Sequence, residues 1–238
     1  MKPYYEQDGI VIYHGDCCEV LPALGQVDHV ITDPPYEAEA HTKARRQRSE
    51  GVVGVIAIDF EAMHEPVRQA VGREMVRLSR GWVLVFCQVE AAMLWREALA
   101  GAKYMRTQVW VKPDGAPQFT GDRPGMGYES IVTAWAGSGR SRWNGGGRRG
   151  VYVHMVGAHG GVKNPHPTTK PETLMCELLH LFTDAGETVL DPFMGSGTTL
   201  VAAKRLGRRA IGIEREEKYC EMAAKRLAQG VLFGPEAA

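Results

Sequence analysis

DPFMGSGTT, residues 191–199, is the segment of this chain that indicates its fold most directly. It follows a short apolar run at residues 188–190 and leads into a helical pattern that Gly207 ends, which is a usual helix stop signal. A strand, a Gly-x-Gly turn and a helix in this order are typical of nucleotide-binding α/β sheets, because the glycines let a ligand approach the backbone closely. The sequence therefore predicts a Rossmann-like domain that binds its ligands at the carboxyl ends of the strands.

The residues around this turn indicate which cofactor it holds. The next apolar run, residues 210–213, ends at Glu214, at about the distance from the glycines at which an acid binds ribose hydroxyls. NAD is one candidate, but Leu200 occupies the third glycine position of its motif, and Asp191 would repel a pyrophosphate. Asp191 would instead attract a methionine ammonium, so the pattern favours S-adenosylmethionine. A nicotinamide-dependent dehydrogenase is the alternative, and no hydride-transfer site is evident for it.

A second segment, Asp33-Pro34-Pro35-Tyr36, follows the apolar run at residues 27–32. The prolines remove two N–H donors while every carbonyl remains an acceptor, and an ionised aspartate only accepts. Such a wall of acceptors suits an amino group with two N–H donors, such as the exocyclic amine of adenine or cytosine. Accepting both hydrogens would free the nitrogen lone pair for attack. The structural alternative is a proline-rich turn that leaves a strand.

Together the two segments resemble the amino-methylating DNA methyltransferases of the β arrangement, in which Asp-Pro-Pro-Tyr precedes Phe-x-Gly-x-Gly. The likeness covers almost the whole chain, because residues 15–21, 109–113 and 166–171 resemble further segments of that family. It implies methyl transfer from S-adenosylmethionine to a base that is extruded from double-stranded DNA. Adenine N6 is the first choice, since the resemblance pairs this tetrapeptide more often with adenine. Cytosine N4 is the runner-up.

The resemblance also implies roles for individual residues. Asp33 and the Pro34 carbonyl would hold the amine, and Tyr36 would stack on the base. Asp191 is matched to the methionine end of the cofactor and Glu214 to its ribose. The predicted catalytic residues are Asp33, Pro34, Pro35 and Tyr36; the predicted cofactor-binding residues are Asp16, Cys17, Asp33, Lys170, Asp191, Phe193, Gly195, Ser196, Gly197, Thr198 and Glu214.

Alternating apolar runs predict a single domain over residues 1–238 with a seven-stranded, mostly parallel sheet. Because the cofactor half is C-terminal, the resemblance implies a circularly permuted class I methyltransferase fold, with residues 112–165 as a target-recognition insertion. Two consecutive strands without a helix between them predict an antiparallel pair at one sheet edge. The predicted strands are 10–13, 27–32, 82–87, 106–111, 130–135, 187–190 and 210–213; the predicted helices are 61–79, 90–100, 172–182, 198–206 and 216–228.

Positive charge is concentrated in two loops of a chain whose formal net charge is zero. Residues 37–59 and 136–165 break the strand–helix pattern, and residues 131–170 contain no Asp or Glu. Basic side chains neutralise phosphates and Arg also reads guanine, so both loops are expected to flank the site and contact DNA. A solvated basic loop is the alternative. The predicted DNA-binding residues are Lys43, Arg45, Arg46, Arg48, Arg140, Arg142, Arg148 and Arg149.

Composition excludes several other classes. The 238 residues include five cysteines without a Cys-x-x-Cys, so neither a disulfide framework nor a zinc site is expected, and the cytoplasm is the natural setting. His154, His159 and His166 show no fixed ligand spacing, and no metal is predicted. No run reaches membrane-spanning length, so no membrane partner is expected. An RNA or protein amine methyltransferase and an inactive DNA-binding relative stay open, and a homodimer and a cognate restriction endonuclease are candidate partners by family likeness.

Overall fold

The computed structural model describes residues 1–35, 63–115, 121–122, 124–156 and 169–229. These residues form one mixed sheet with helices on both faces. The strands are β1 (Tyr5–Gln7), β2 (Ile10–His14), β3 (His29–Thr32), β4 (Trp82–Cys87), β5 (Lys103–Val111), β6 (Tyr128–Trp135), β7 (Val151–Val153), β8 (Thr188–Asp191) and β9 (Arg209–Glu214). The helices are α1 (Cys17–Val20), α2 (Glu65–Leu78), α3 (Ala92–Ala98), α4 (Glu172–Phe182), α5 (Thr198–Arg205) and α6 (Glu217–Ala228).

The sheet has nine strands in the described residues, so the predicted number of seven is wrong. Each of the seven predicted strands and five predicted helices is present within a few residues of its predicted bounds. The two additional strands, β1 and β7, are three residues long, and so short a strand shows no periodicity of its own. The left-handed turn Asp8-Gly9 folds β1 back onto β2, and β7 lies inside the glycine-rich segment that the sequence indicates as a loop.

The strand order is β1-β2-β9-β8-β3-β4-β6-β5-β7. Strands β2, β9, β8, β3 and β4 run parallel, β6 runs antiparallel to β4, and β5 antiparallel to β6. The antiparallel pair is therefore confirmed, but it is not the edge, because β7 pairs with the outer side of β5. From β3 the chain crosses to β4, and from β8 it crosses to β9 in the other direction. The boundary between β3 and β8 is thus the switch point at which open sheets bind ligands.

Successive residues of the central strands serve two separate cores, because side chains alternate across a sheet. Val83 and Val85 of β4 pack with helices α1, α2 and α3, whereas Leu84 and Phe86 pack with α4, α5 and α6. All six residues of β4 are buried, as expected of a parallel strand that helices cover on both faces. Among the described residues no helix combines the length and the apolar character needed to cross a membrane.

Gly72 of α2 faces the end of α3 without room for a side chain. A Cβ atom there would lie 2.5 Å from the backbone oxygen of Ala98, which cannot rotate away. We expect Gly72→Ala to lower the free energy of unfolding by about 1 kcal/mol or more in a urea titration, because overpacking outweighs the helix propensity of Ala. The control is Gly25→Ala, where the new Cβ meets nothing within 4 Å. Equal losses for the two variants would contradict this packing.

Candidate active site

Four predicted segments meet at the carboxyl-terminal ends of the parallel strands, because these strands are neighbours in the sheet. Asp16 follows β2, Glu214 ends β9, Asp191 ends β8, and Asp33 follows β3. These strands are parallel and adjacent, so their carboxyl ends lie side by side. The structure therefore brings together four acids that are far apart in the sequence, and it places the boundary between Asp33 and Asp191 at the switch point.

The two glycines of the 191–199 turn serve different purposes. Gly195 and Gly197 both have left-handed backbone angles, with φ of 52° and 80°. A Cβ on Gly195 would meet nothing within 4 Å, whereas one on Gly197 would lie 2.7 Å from the Cβ of Ala223 in α6. Only Gly195 thus faces open space that a ligand can enter, and Gly197 is required for the packing of α6 against the turn.

Glu214 ties this turn to β9. Its Oε2 accepts the backbone N–H of Gly195 at 3.1 Å, and its Oε1 accepts that of Glu216 at 2.8 Å. Burial raises the pKa of the Glu214 carboxyl, and these backbone donors oppose that rise. Each carboxylate oxygen can accept more than one hydrogen bond, so Glu214 has capacity left for a ribose hydroxyl beside the open face of Gly195.

Asp191 is the centre of a buried hydrogen-bond network. Thr32 Oγ1 donates to its Oδ1 at 2.7 Å, and Thr199 Oγ1 donates to its Oδ2 at 2.6 Å. The backbone N–H of Phe193 adds a third bond at 3.1 Å. The residue is 3% exposed, and burial raises the pKa of its carboxyl to about 6. Asp191 thus joins β3, β8 and α5, and its contact with a methionine ammonium stays a prediction.

Asp33 belongs to a chain of charged side chains that sequence reasoning recognised only in part. The Lys170 ammonium lies 2.5 Å from Asp33 Oδ2 and 3.2 Å from Glu129 Oε2. Lys112 forms an ion pair with the other oxygen of Glu129. Sequence reasoning missed Glu129 and Lys112. The signal that identifies Glu129 is that it is the only charged residue of the largely buried strand β6, because a buried charge needs a partner.

The remaining predicted cofactor residues near the turn make internal contacts. Ser196 and Thr198 are buried beside Arg226, whose Nη1 donates to the Ser196 carbonyl at 2.7 Å and to Thr198 Oγ1 at 3.1 Å. Cys17 is buried in α1, and Phe193 packs against the core formed with α1 to α3. Their contacts with a cofactor therefore stay predictions.

Asp16 caps α1 by accepting the Cys18 N–H at 2.7 Å, and Asp16, Cys17 and Cys18 together offer ligand atoms within 4.8 Å. These three residues are consecutive in the chain, and one of them is already a helix cap. The expectation that no metal is bound stays a prediction. Several predicted residues lie outside the described residues, namely Tyr36, Lys43, Arg45, Arg46, Arg48, His159 and His166.

Arg140 and Arg142 of the second basic loop do not flank the site as expected. Trp135, the last residue of β6, pairs with Trp82, the first residue of β4. The chain therefore leaves β6 at the amino-terminal ends of the parallel strands, on the side opposite to the site. There Arg142 forms ion pairs with Asp184, at 3.0 Å, and with Glu187. The segment returns along α4 and reaches the site edge only after β7. The antiparallel direction of β6 is the physical reason for this correction.

Further along this path, Arg148 pairs with Glu177 of α4 at 2.5 Å. Arg140 and Arg149 are exposed, and no ion pair is found for either within the described part of the chain. All four arginines are thus exposed, but Arg142 and Arg148 are paired with acids of the protein body, whereas no ion pair is found for Arg140 and Arg149 among the described residues. Contact of any of the four with DNA stays a prediction.

The fold and the glycine turn define a Rossmann-like α/β domain with a ligand site at its switch point, and comparisons identify the family. A family model described as DNA methylase, covering the N6 and N4 methyltransferases, matches residues 133–225. The type II methyltransferase M2.DpnII of Streptococcus pneumoniae is 30% identical over 260 residues, which cover 95% of this chain and 92% of that protein. The type II methyltransferase M2.LlaDCHI of Lactococcus lactis subsp. cremoris is 28% identical over 98% of this chain and 94% of its own.

Solved structures agree with this assignment. The M1.HpyAVI–SAM complex has a TM-score of 0.71 and 26% identity, covering 91% of this chain and 98% of that one. The cytosine-N4-specific PvuII DNA methyltransferase also has a TM-score of 0.71, at 15% identity, which shows a shared fold. The chain therefore belongs to the family of DNA amino-methyltransferases, as its two motifs predict.

The raised pKa of Asp191 predicts a specific dependence of stability on pH. The pKa of Asp191 is about 6 in the native state, above the ordinary value near 4. Between about pH 4 and pH 6 the folded protein therefore holds a proton on Asp191 that the unfolded chain has lost, so the free energy of unfolding falls as the pH rises through this range. The stability of the wild type relative to Asp191→Asn should fall by up to about 3 kcal/mol between about pH 4 and pH 7. Urea titrations at several pH values measure this, and a constant difference would contradict it.

Proposed function

We propose that this protein transfers a methyl group from S-adenosylmethionine to the N6 amine of adenine in double-stranded DNA. The observation that carries the proposal is the adjacency of Asp33 and the glycine turn at the switch point, where Thr32 of the acceptor strand donates to Asp191 of the cofactor strand. Acceptor and donor of the methyl group would bind at the ends of two hydrogen-bonded neighbouring strands, β3 and β8. This holds the two reactants close together, which is a large part of such catalysis.

The turn has the features that an adenosine-containing sulfonium cofactor needs. Gly195 faces open space, and Glu214 stands beside it with unused acceptor capacity. M1.HpyAVI, a relative of similar fold at 26% identity, is described as a complex with SAM. S-adenosylmethionine, when bound, supplies a methyl group activated by its sulfonium. We assign the ribose contact to Glu214 and the methionine end to Asp191 and Phe193.

The acceptor loop would orient the amine and hold its hydrogens. Asp33 directly follows β3, and its side chain is 28% exposed. Its carboxylate is therefore accessible, while the sheet fixes the backbone that precedes it. An ionised Asp33 accepts one N–H of the amine, and the carbonyl of Pro34 would accept the other. Burial raises the pKa of Asp33, and Lys170 opposes this rise. Tyr36 would stack on the base, at a gain of roughly 1–3 kcal/mol.

The base follows from the resemblance that pairs Asp-Pro-Pro-Tyr more often with adenine. Cytosine N4 offers the same NH₂ group to the same acceptors, so both bases are compatible with the loop. Mass analysis of nucleosides from DNA incubated with the protein and S-adenosylmethionine distinguishes them. N6-methyladenine would support the proposal, and N4-methylcytosine would overturn its choice of base. Methylation of RNA or protein without DNA would overturn the substrate class.

We further propose that residues 1–238 form one circularly permuted methyltransferase domain in which residues 112–165 carry target recognition. The order of acceptor strand β3 before cofactor strand β8 supports this arrangement. Two relatives are type II methyltransferases, which supports a pairing with a cognate restriction endonuclease. A homodimer is proposed from the family resemblance alone.

Loss of the acceptor carboxylate should separate chemistry from cofactor binding. We expect Asp33→Ala to lower the methylation rate at least about 10²-fold, because it removes a preorganised electrostatic contact with the amine. Its affinity for S-adenosylmethionine, measured by calorimetry, should stay close to that of the wild type. Glu214→Ala is the matched variant: it should weaken the binding of S-adenosylmethionine by roughly 1.5–3 kcal/mol, because it removes a hydrogen bond to a charged group. A normal methylation rate in Asp33→Ala would exclude the proposed mechanism.

Variants of the neighbouring Arg148 and Arg149 can distinguish an arginine that contacts DNA from one that supports the fold. Both side chains are exposed, but Arg148 is paired with Glu177, whereas no ion pair is found for Arg149 within the described residues. We expect Arg149→Ala to reduce the salt slope of DNA binding by about 0.9, the loss of one phosphate contact. Arg148→Ala should leave the slope unchanged. Fluorescence anisotropy on cognate duplexes over a range of salt concentrations measures both. Identical slopes for the wild type and Arg149→Ala would remove this residue from the DNA interface.

A further inference from the structure

We propose that Glu129 and Lys112 are positioning residues of the reaction: together with Lys170 they form a network of alternating charge that ends at Asp33, and they thereby set the charge with which Asp33 meets the substrate amine. The inference rests on the proposed function for its consequence in catalysis. Its structural part, that strands β5 and β6 control the charge of the acceptor loop, can be tested without any methyl transfer.

Lys170 connects two carboxylates that belong to different parts of the fold. Its Nζ lies 2.5 Å from Asp33 Oδ2, at the end of β3, and 3.2 Å from Glu129 Oε2, in β6. The side chain is 8% exposed, and its Nζ lies 5.2 Å from the centroid of the Phe86 ring. A buried ammonium between two carboxylates and an aromatic face has little freedom to leave, so its position depends on both acids.

Lys112 completes the arrangement from the other side of Glu129. It follows β5, its side chain is 15% exposed, and its Nζ lies 4.7 Å from the centroid of the Trp110 ring. The four side chains thus alternate in charge, from Asp33 through Lys170 and Glu129 to Lys112. Removing one partner of such a buried set leaves an uncompensated charge, so each member constrains its neighbours.

The charge of Asp33 matters because the two forms of a carboxyl group have different hydrogen-bonding abilities. The ionised form only accepts, as an amine with two N–H donors requires, whereas the protonated form also donates. Burial raises the pKa of Asp33; the nearby Lys170 lowers it, Glu129 raises it and Lys112 lowers it. Asp191, at the end of the neighbouring strand β8, is also close enough for the charge of Asp33 to raise its pKa, and Asp16 and Glu214 follow at the ends of the next parallel strands.

These opposite effects distinguish positioning from simple support of the fold. Burial would raise the pKa of Glu129 as well, but Lys170 and Lys112 hold it below its ordinary value, so Glu129 keeps its negative charge. Neutralising Glu129 should therefore make Asp33 easier to ionise, and neutralising Lys112 should make it harder. A loss of packing alone would give no such reversal of sign.

The experiment compares Glu129→Gln with Lys112→Gln in single-turnover methylation of cognate DNA across pH. Activity requires ionised Asp33, so the acid limb of the profile follows its pKa. We expect this limb to move to lower pH in Glu129→Gln and to higher pH in Lys112→Gln, with Lys112→Arg restoring the wild-type position. The control is Glu221→Gln, which removes an exposed ion pair with Lys225 in α6, and its profile should overlay that of the wild type. Shifts in the same direction, or none, would overturn the proposal.

A second measurement avoids methyl transfer altogether. Titration of ¹³C-labelled aspartate carboxyls by NMR, with the Asp33 signal assigned from its loss in Asp33→Asn, reports the charge of Asp33 directly. The Asp33 signal should titrate at lower pH in Glu129→Gln and at higher pH in Lys112→Gln. If Glu129→Gln does not fold, the Lys112→Gln and Lys112→Arg pair decides alone. If the Asp33 titration is unchanged in variants that still methylate DNA, the inference is refuted and the proposed function stays intact. If the titration shifts in the variants as expected but the wild-type protein methylates no DNA, only the proposed function is refuted.

Discussion

The rest of the site depends on the hydrogen bond between the Thr32 hydroxyl and the Asp191 carboxylate. This 2.7 Å contact joins the ends of β3 and β8, the two strands from which the chain crosses in opposite directions. An acid buried to this degree is costly unless donors surround it, and Thr32, Thr199 and the Phe193 N–H supply them. The acceptor loop and the glycine turn are consequently fixed relative to each other.

Buried charges perform a second task at this edge of the sheet. Asp33 stands at the boundary between solvent and the protein interior, and its ion pair with Lys170 offsets the cost of its partial burial. Because Lys170 also contacts Glu129, the acceptor loop is linked to the antiparallel strands β5 and β6 rather than only to the cofactor half. The site is therefore assembled from both sides of the switch point.

The path of the chain after β6 separates support of the fold from contact with a partner. The segment after Trp135 leaves the sheet on the side opposite to the site. Ion pairs of Arg142 with Asp184 and of Arg148 with Glu177 then connect it to the body of the protein. The ring of Trp143 also packs edge-to-face on Phe182, with centroids 4.8 Å apart. A basic, glycine-rich sequence thus lies in part along α4, and two of its exposed arginines, Arg142 and Arg148, are paired with acids of the protein body.

The amino-acid sequence is enough to predict the strands and helices with strong apolar periodicity, the Gly-x-Gly turn, the acceptor tetrapeptide and, through the order of these features, the family. These features are local, because a strand, a turn or a helix stop is recorded in a few consecutive residues. Only the tertiary structure decided the nine-stranded sheet, the different purposes of Gly195 and Gly197, the partnership of Glu129 with Lys170, and the far-edge position of Arg142. Each of these depends on which strands become neighbours and in which direction they run, and such pairings arise between residues that no short stretch of sequence contains.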